Sequence, residues 1–336
     1  LAAYYAAVSL WGWMSFMAIV PVSSRDDLRS FDTGRLAPAK VVEFVRTTNS
    51  QTLKPQSDEE IRNQKIQGVM AELDLLVGLK KVKRIVEEIR ALIEVQQMRR
   101  EARLRTEPQV LHMIFKGNPG TGKTTVARIL GKLYKEMGVL EKGHVVEVER
   151  ADLVGEYIGH TAQRTREQIK KAMGGVLFID EAYSLARGGH KDFGKEAIDT
   201  LVKAMEDYKT SLVLILAGYP NEMASFLRSN PGLRSRFPFH IDFPDYTPDE
   251  LIKIAEIMLR EREYVFSLRA RRKLFVMVQN RRLDHGNARW VRNLIEQAIR
   301  LHAVRILARS GPLSREQLMT IEPDDVQEID SAGWTG

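Results

Sequence analysis

The chain has 336 residues, 44% of them hydrophobic and 28% charged, which is enough apolar material for a real core and enough length for two domains. It contains no cysteine, which excludes a disulfide scaffold and a cysteine-ligated zinc site and fits a reducing, cytoplasmic setting. The net charge of +7 is spread along amphipathic segments such as QQMRREARLR (96–105) and SLRARRKLF (267–275). Solvated helix faces account for it, and nucleic acid is not the expected partner, because no RNA- or DNA-binding signature accompanies the charge.

Residues 1–60 read as an apolar segment followed by a linker. The first charged residue is Arg25, and the stretch before it is about as long as a membrane span and apolar enough to be one. It lacks a positive n-region, so it makes a poor signal peptide. It begins with Leu rather than Met, and a misplaced gene start is the competing explanation. Contact with a membrane is expected only through residues 1–22. Residues 25–60 are polar and lack a sustained period.

From 61 to 105 the pattern turns helical. Val82, Ile85, Val86, Ile89, Leu92 and Ile93 recur three and four apart, and Gly78 in LLVGLKK breaks the run. Five short apolar runs then read as strands: LHMIF (111–115), HVVEVE (144–149), GVLFID (175–180), LVLILA (212–217) and FHIDF (239–243). Helical stretches near 122–138, 161–173 and 192–208 separate the first four. Such alternation predicts an α/β fold with a parallel sheet flanked by helices over residues 61–245. After FPDYTPDE the strand signal ends, and residues 246–336 are expected to form a smaller all-helical domain.

GNPGTGKTT (117–125) follows the first strand directly and opens a helix. It matches GxxxxGK(S/T) in the context that defines the phosphate-binding loop of P-loop NTPases. Gly120 and Gly122 let the backbone wrap a phosphate, and the helix start adds its positive dipole end. Asn118, Pro119, Thr121 and Thr125 complete the expected cradle. Lys123 can reach the β- and γ-phosphates of ATP, and the Thr124 hydroxyl can ligate Mg²⁺.

Two carboxylates, Asp180 and Glu181, end the strand GVLFID, at the edge where open α/β sheets bind ligands. Asp180 would hold the Mg²⁺ shell. Glu181 would orient and deprotonate an attacking water, which makes ATP hydrolysis the expected activity. A surface carboxylate pair capping a strand is the competing reading. NPGLRSRF (230–237) places Arg234 and Arg236 beside a Pro-Gly turn, and DHGNARWVRN (284–293) places Arg289 at a helix start with Arg292 one turn on. An arginine delivered from outside a site can stabilise charge on a transferring phosphoryl group. Each of these is equally readable as a surface arginine.

The P-loop, LFIDEA, NPGLRSRF and GNAR occur in the order found in AAA+ ATPases. The phrases FKGNPGTGKTTVAR, ADLVGEYIGHTAQRTRE, LFIDEAYSLARGG, DFGKEAIDTLVKAMED, LILAGYP and IDFPDY resemble the CbxX/CfqX group within that class, over roughly residues 70–310. The resemblance is strongest to members that act in bacterial spore formation. It implies a homohexameric ring with ATP between neighbours, and it makes the second domain a lid. It implies that Val77 and Gly78 lie beside adenine. Arg236 becomes the arginine finger acting on the next subunit's ATP, with Arg234 the second candidate, and Arg289 becomes the sensor that the lid presents to the γ-phosphate. The chain departs from many relatives at the end of the fourth strand, where Tyr219 is the nearest polar residue. Finally, GEYIGHT (155–161) becomes a pore loop, with Tyr157 and Ile158 gripping a protein substrate by apolar area. A tyrosine folded back onto the domain surface is the competing reading.

An ATP-driven protein remodeller is therefore the leading expectation, with a protein substrate the sequence does not identify. A Rubisco-activase-like remodeller and a nucleic-acid motor are the alternatives. No HExxH signature is present, so a proteolytic partner would be a separate chain.

Overall fold

The computed structural model describes residues 58–328 except 156, 158, 188–192 and 281–285. The apolar segment expected to contact a membrane therefore lies outside the described residues, as does nearly all of the linker.

The described chain begins with two helices, α1 (Asp58–Leu75) and α2 (Lys80–Glu101). The break between them is a backbone reversal in which Gly78 and Leu79 both take positive φ, 66° and 54°. The Lys83 ammonium fixes the turn by donating to the carbonyls of Asp74 (2.8 Å) and Leu76 (2.7 Å) at the end of α1. On α2, Val82, Val86, Ile89 and Ile93 form the buried stripe.

Strand β1 (Met113–Gly117) then enters the sheet and is followed by α3 (Lys123–Glu136) and β2 (Val145–Val148). The short α4 (Arg150–Leu153) and the longer α5 (His160–Ala172) lead to β3 (Val176–Ile179). Next come α6 (Gly194–Asp207), β4 (Val213–Gly218), α7 (Pro220–Ser229), α8 (Pro231–Arg234) and β5 (Phe239–Phe243). All five strands are parallel, in the order β2-β3-β4-β1-β5. The inner strands β3 and β4 are buried throughout, while the edge strands β2 and β5 are partly exposed. Period-two alternation divides β1 between two layers. Met113 and Phe115 face α1, α2 and α3, whereas Ile114 faces the layer built from α5, α6 and α7. A fully buried side chain such as Phe115 contributes roughly 1.5–3 kcal/mol.

The first strand starts two residues later than its apolar run. Leu111 and His112 are buried but stand outside the ladder, and the His112 ring supplies the local acceptor: its Nδ1 accepts from the Leu214 N–H at 3.0 Å. The chain connects β1 to β2 on one side of the sheet and returns past β1 to reach β5. This makes the C-terminal end of β1 a topological switch point, where ligands of open sheets bind.

Beyond β5, a capping box between Thr247 and Glu250, with Pro248 in the first turn, starts α9 (Pro248–Arg260). The short β6 (Val265–Phe266) precedes α10 (Leu268–Gln279) and α11 (Asn287–Leu307), and α12 (Arg315–Met319) leads into β7 (Thr320–Ile321). These helices enclose their own core, with Leu251, Leu274, Val291 and Leu294 among its members. The parallel pair β6–β7 is an addition to the expected helices, since two residues per strand are too few to show a period. Among the described residues no helix is long and apolar enough to cross a membrane.

Candidate nucleotide site

The switch point carries a cleft of about 380 Å³. Its floor is the loop between β1 and α3. Gly120 and Gly122 hold φ of 71° and 95°, a conformation costly to any residue with a Cβ. The Thr121 hydroxyl is turned inward onto the Asn118 carbonyl at 2.8 Å, and the Asn118 amide donates to both oxygens of Asp245 at 3.0 and 2.9 Å. Neither side chain lines the cleft, so their contribution to a ligand would come from the backbone. Pro119, Gly120, Gly122, Lys123, Thr124 and Thr125 do line it. The Lys123 ammonium lies over the loop, donating to the carbonyls of Gly117 (2.8 Å) and Asn118 (2.9 Å). Burial lowers its pKa, and the Asp180 charge opposes that shift.

The next wall is the end of β3. The Asp180 N–H continues the ladder to the Val148 carbonyl (3.0 Å), and its side chain accepts from the Glu181 N–H (2.9 Å). Glu181 itself takes a left-handed conformation, φ 45° and ψ 41°, which costs a glutamate about 1 kcal/mol or more. Both carboxylates line the cleft, and so does Tyr219 at the end of β4.

The third wall comes from the lid. The Ala288 N–H donates to the Gly120 carbonyl at 3.1 Å, and the Tyr246 hydroxyl donates to the Thr121 carbonyl at 3.2 Å. Asn287, fully buried with φ 48°, joins three segments. Its amide N–H groups donate to Asp245 Oδ1 (2.7 Å) and the Pro119 carbonyl (3.3 Å), and its oxygen accepts from the Tyr246 N–H (3.1 Å). A Cβ on Gly120 would fall 2.8 Å from the Arg289 nitrogen, so the glycine is what lets the lid loop approach. This places Arg289 and Arg292 on the cleft.

The far end is apolar. Leu75 at the end of α1, with Leu76 and Val77 from the turn after it, lines the cleft opposite Ile254, Ile257 and Met258 of α9. Gly78 does not line the cleft; it makes the turn that presents Val77. The donor set fits a polyphosphate carrying a divalent cation and an apolar base. Three cations and a helix N-terminus lie beside a pair of carboxylates, with an aliphatic slot beyond.

Three expected residues, Tyr157, Arg234 and Arg236, stand elsewhere. Tyr157 is 66% exposed, and its ring meets that of His160 edge-on, with the centroids 5.5 Å apart. Ile158 lies outside the described residues. Neither Arg234 nor Arg236 lines the cleft of its own chain. Sequence reasoning missed Tyr246, Asp245, Asn287 and the α9 face. The first three sit within the phrases IDFPDY and GNAR, where nothing local shows that they meet one another across the cleft.

Comparison with known proteins agrees with this geometry. Residues 113–245 match the model for the ATPase family associated with various cellular activities (AAA), and residues 247–333 match the AAA lid domain. Stage V sporulation protein K of Bacillus subtilis (strain 168) is 56% identical over 274 residues, covering 79% of this chain and 85% of that one. The chloroplastic ribulose bisphosphate carboxylase/oxygenase activase of Cyanidioschyzon merolae is 45% identical, covering 83% and 96%. Protein CbbX of Cereibacter sphaeroides is 46% identical, covering 77% and 85%. Among solved structures, a variant of Thermotoga maritima RuvB aligns with a TM-score of 0.51 at 22% identity, covering 76% of this chain and 70% of that one, a likeness of fold. A P-loop sheet with its lid, matched in order and at this identity across most of several relatives, shows that the chain belongs to the AAA ATPase family, in its CbxX/CfqX group.

Proposed function

We propose that the chain is an ATP-driven protein remodeller that hydrolyses ATP between neighbouring copies in a hexameric ring. One observation carries this reading: a single cleft gathers Lys123, Thr124, Asp180, Glu181 and Arg289 from three separate segments, while Arg236 lies outside it. Lys123 and the backbone N–H groups from Gly120 to Thr125 bind the phosphates. Thr124 and Asp180 would hold Mg²⁺, which when bound neutralises phosphate charge. Glu181 takes the proton of the attacking water, Tyr219 and Arg289 contact the γ-phosphate end, and Val77 and Ile257 cover adenine. Arg236 serves the neighbour's site. Tyr157 and Ile158 grip the protein substrate.

A protein substrate is favoured over nucleic acid because the exposed tip of the loop before α5 is aromatic rather than basic, and the RuvB likeness is one of fold alone. The higher identity to the sporulation protein, 56% against 45% for the algal activase, favours a cytoplasmic role in spore formation over Rubisco activation. The test is an ATP-bound trap. Glu181→Gln should bind ATP, turn it over at least about 100-fold more slowly, and retain protein partners in an ATP-dependent way that Lys123→Ala abolishes. Turnover of Glu181→Gln at the parent rate would remove Glu181 as the base, and nucleotide-independent retention would remove the remodelling cycle.

A further inference from the structure

The segment that carries Arg236 is anchored on both sides of it. Leu233 and Phe237, four residues apart, are both buried in the layer beneath α6 and α7, and the Phe237 ring lies 6.0 Å from that of His112. The backbone of Arg236 is therefore fixed, and only its side chain remains to be placed. Two groups place it. Its Nη1 donates to the Gly232 carbonyl at 2.7 Å, and its Nε (3.0 Å) and Nη2 both donate to Glu206 Oε1 at the end of α6. Arg234, two residues earlier, is exposed, and its guanidinium has no hydrogen-bond or ion-pair partner among the described residues.

A guanidinium has five N–H donors in a fixed planar fork. Glu206 takes the Nε–Nη2 edge and Gly232 takes one Nη1 proton, so two N–H groups on the Nη atoms remain for another acceptor. A carboxylate that used the outer edge would compete with a phosphate; one that uses the inner edge steadies the fork instead. We propose that Glu206 is the positioning residue for Arg236, holding its inner edge so that the remaining N–H groups meet the phosphate bound by the adjacent copy. The proposal rests on the reading of Arg236 as the arginine that acts in trans. The same contacts favour Arg236 over Arg234 for that role: among the described residues Glu206 and Gly232 hold the Arg236 guanidinium, and nothing holds that of Arg234.

Pre-organisation of this kind raises turnover without changing ATP affinity, because Glu206 lies outside the cleft that binds the nucleotide. Glu206 is 61% exposed and Arg236 33%, so the pair is open to solvent on the glutamate side and its loss should leave folding intact. The experiment measures steady-state ATPase against ATP concentration for the full chain and for Glu206→Ala, Glu206→Gln, Arg236→Ala and the double alanine variant. Arg236→Ala should lower kcat by roughly 10³-fold, the scale of a trans-acting arginine. Glu206→Ala should lower kcat about tenfold with KM within about twofold. Glu206→Gln should recover most of the loss, since its amide oxygen accepts from the same N–H groups, and it also keeps the shape of the side chain should the alanine variant fold poorly. The double variant should match Arg236→Ala alone. Glu206→Ala at or above the parent rate, with Arg236→Ala still inactive, overturns the positioning role and leaves Arg236 in place. An additive loss in the double variant overturns it too. Arg236→Ala at the parent rate removes the reading of Arg236 itself.

Discussion

Asn287 is where the lid is fastened to the phosphate loop, and replacing it separates two contributions. The first is backbone conformation. At φ 48° an asparagine is tolerated and a glycine is at ease, but an alanine is strained by about 1–2 kcal/mol. The second is hydrogen bonding. Removing the side chain leaves the half-buried Tyr246 N–H without its acceptor, at about 1–3 kcal/mol. Asp245 suffers less, because Asn118 still donates to both of its oxygens. Asn287→Gly should therefore cost about 1–3 kcal/mol and Asn287→Ala about 2–5 kcal/mol. For a domain of this size each kcal/mol shifts Tm by about 2–4 °C.

Urea denaturation of both variants, read as midpoints at unchanged slope, gives the two costs directly. Nucleotide binding supplies an independent check. The Ala288 N–H to Gly120 carbonyl bond stands on the turn that Asn287 holds, so both variants should raise the KM for ATP more than they lower kcat. Equal stability losses for Gly and Ala would refute the conformational contribution. Losses below about 0.5 kcal/mol in both, with an unchanged KM, would show that the fastening has no energetic role.

Two further predictions rest on single side chains. Tyr157→Ala should leave basal ATPase and Tm close to the parent, since the ring is 66% exposed, while abolishing substrate-stimulated ATPase, and Tyr157→Phe should be nearly silent; a fall in Tm of many degrees in the alanine variant would make the residue core. Burial pushes the His112 pKa down to about 4, below its unfolded value near 6.5, so the unfolded chain takes up the proton first. Stability is fully present above about pH 6.5 and is lost as pH falls towards 4, by about 2 kcal/mol at pH 5. Urea midpoints across that window check it, and an identical acid slope in His112→Gln would assign the loss to other groups.

The phosphate loop and the Asp180–Glu181 pair were legible because each is contiguous and sits at a strand end that its own apolar run announces. Arg289 was singled out only through the family resemblance of GNAR, since on its own the residue reads equally as a surface arginine. The residues that close the cleft were not legible, and the reason is geometric. Ile254, Ile257 and Met258 belong to an amphipathic helix whose period is the same whether a face covers a core or a ligand. Ile254 does both, packing in the lid core while lining the cleft. What turns that face into a wall is the approach of Val77, and Val77 is there because Gly78 and Leu79 reverse the chain with two positive φ angles in succession. Gly78 invited that reading; Leu79 did not, since leucine has no preference for the left-handed region. Asp245 and Asn118 are likewise 127 positions apart and meet only because β1 and β5 are neighbours in register, with Gly117 opposite Phe243. That adjacency follows from the return of the chain past β1, a choice of strand order that no local pattern encodes. The chemistry of the site is thus written in short runs, whereas its enclosure is set by topology.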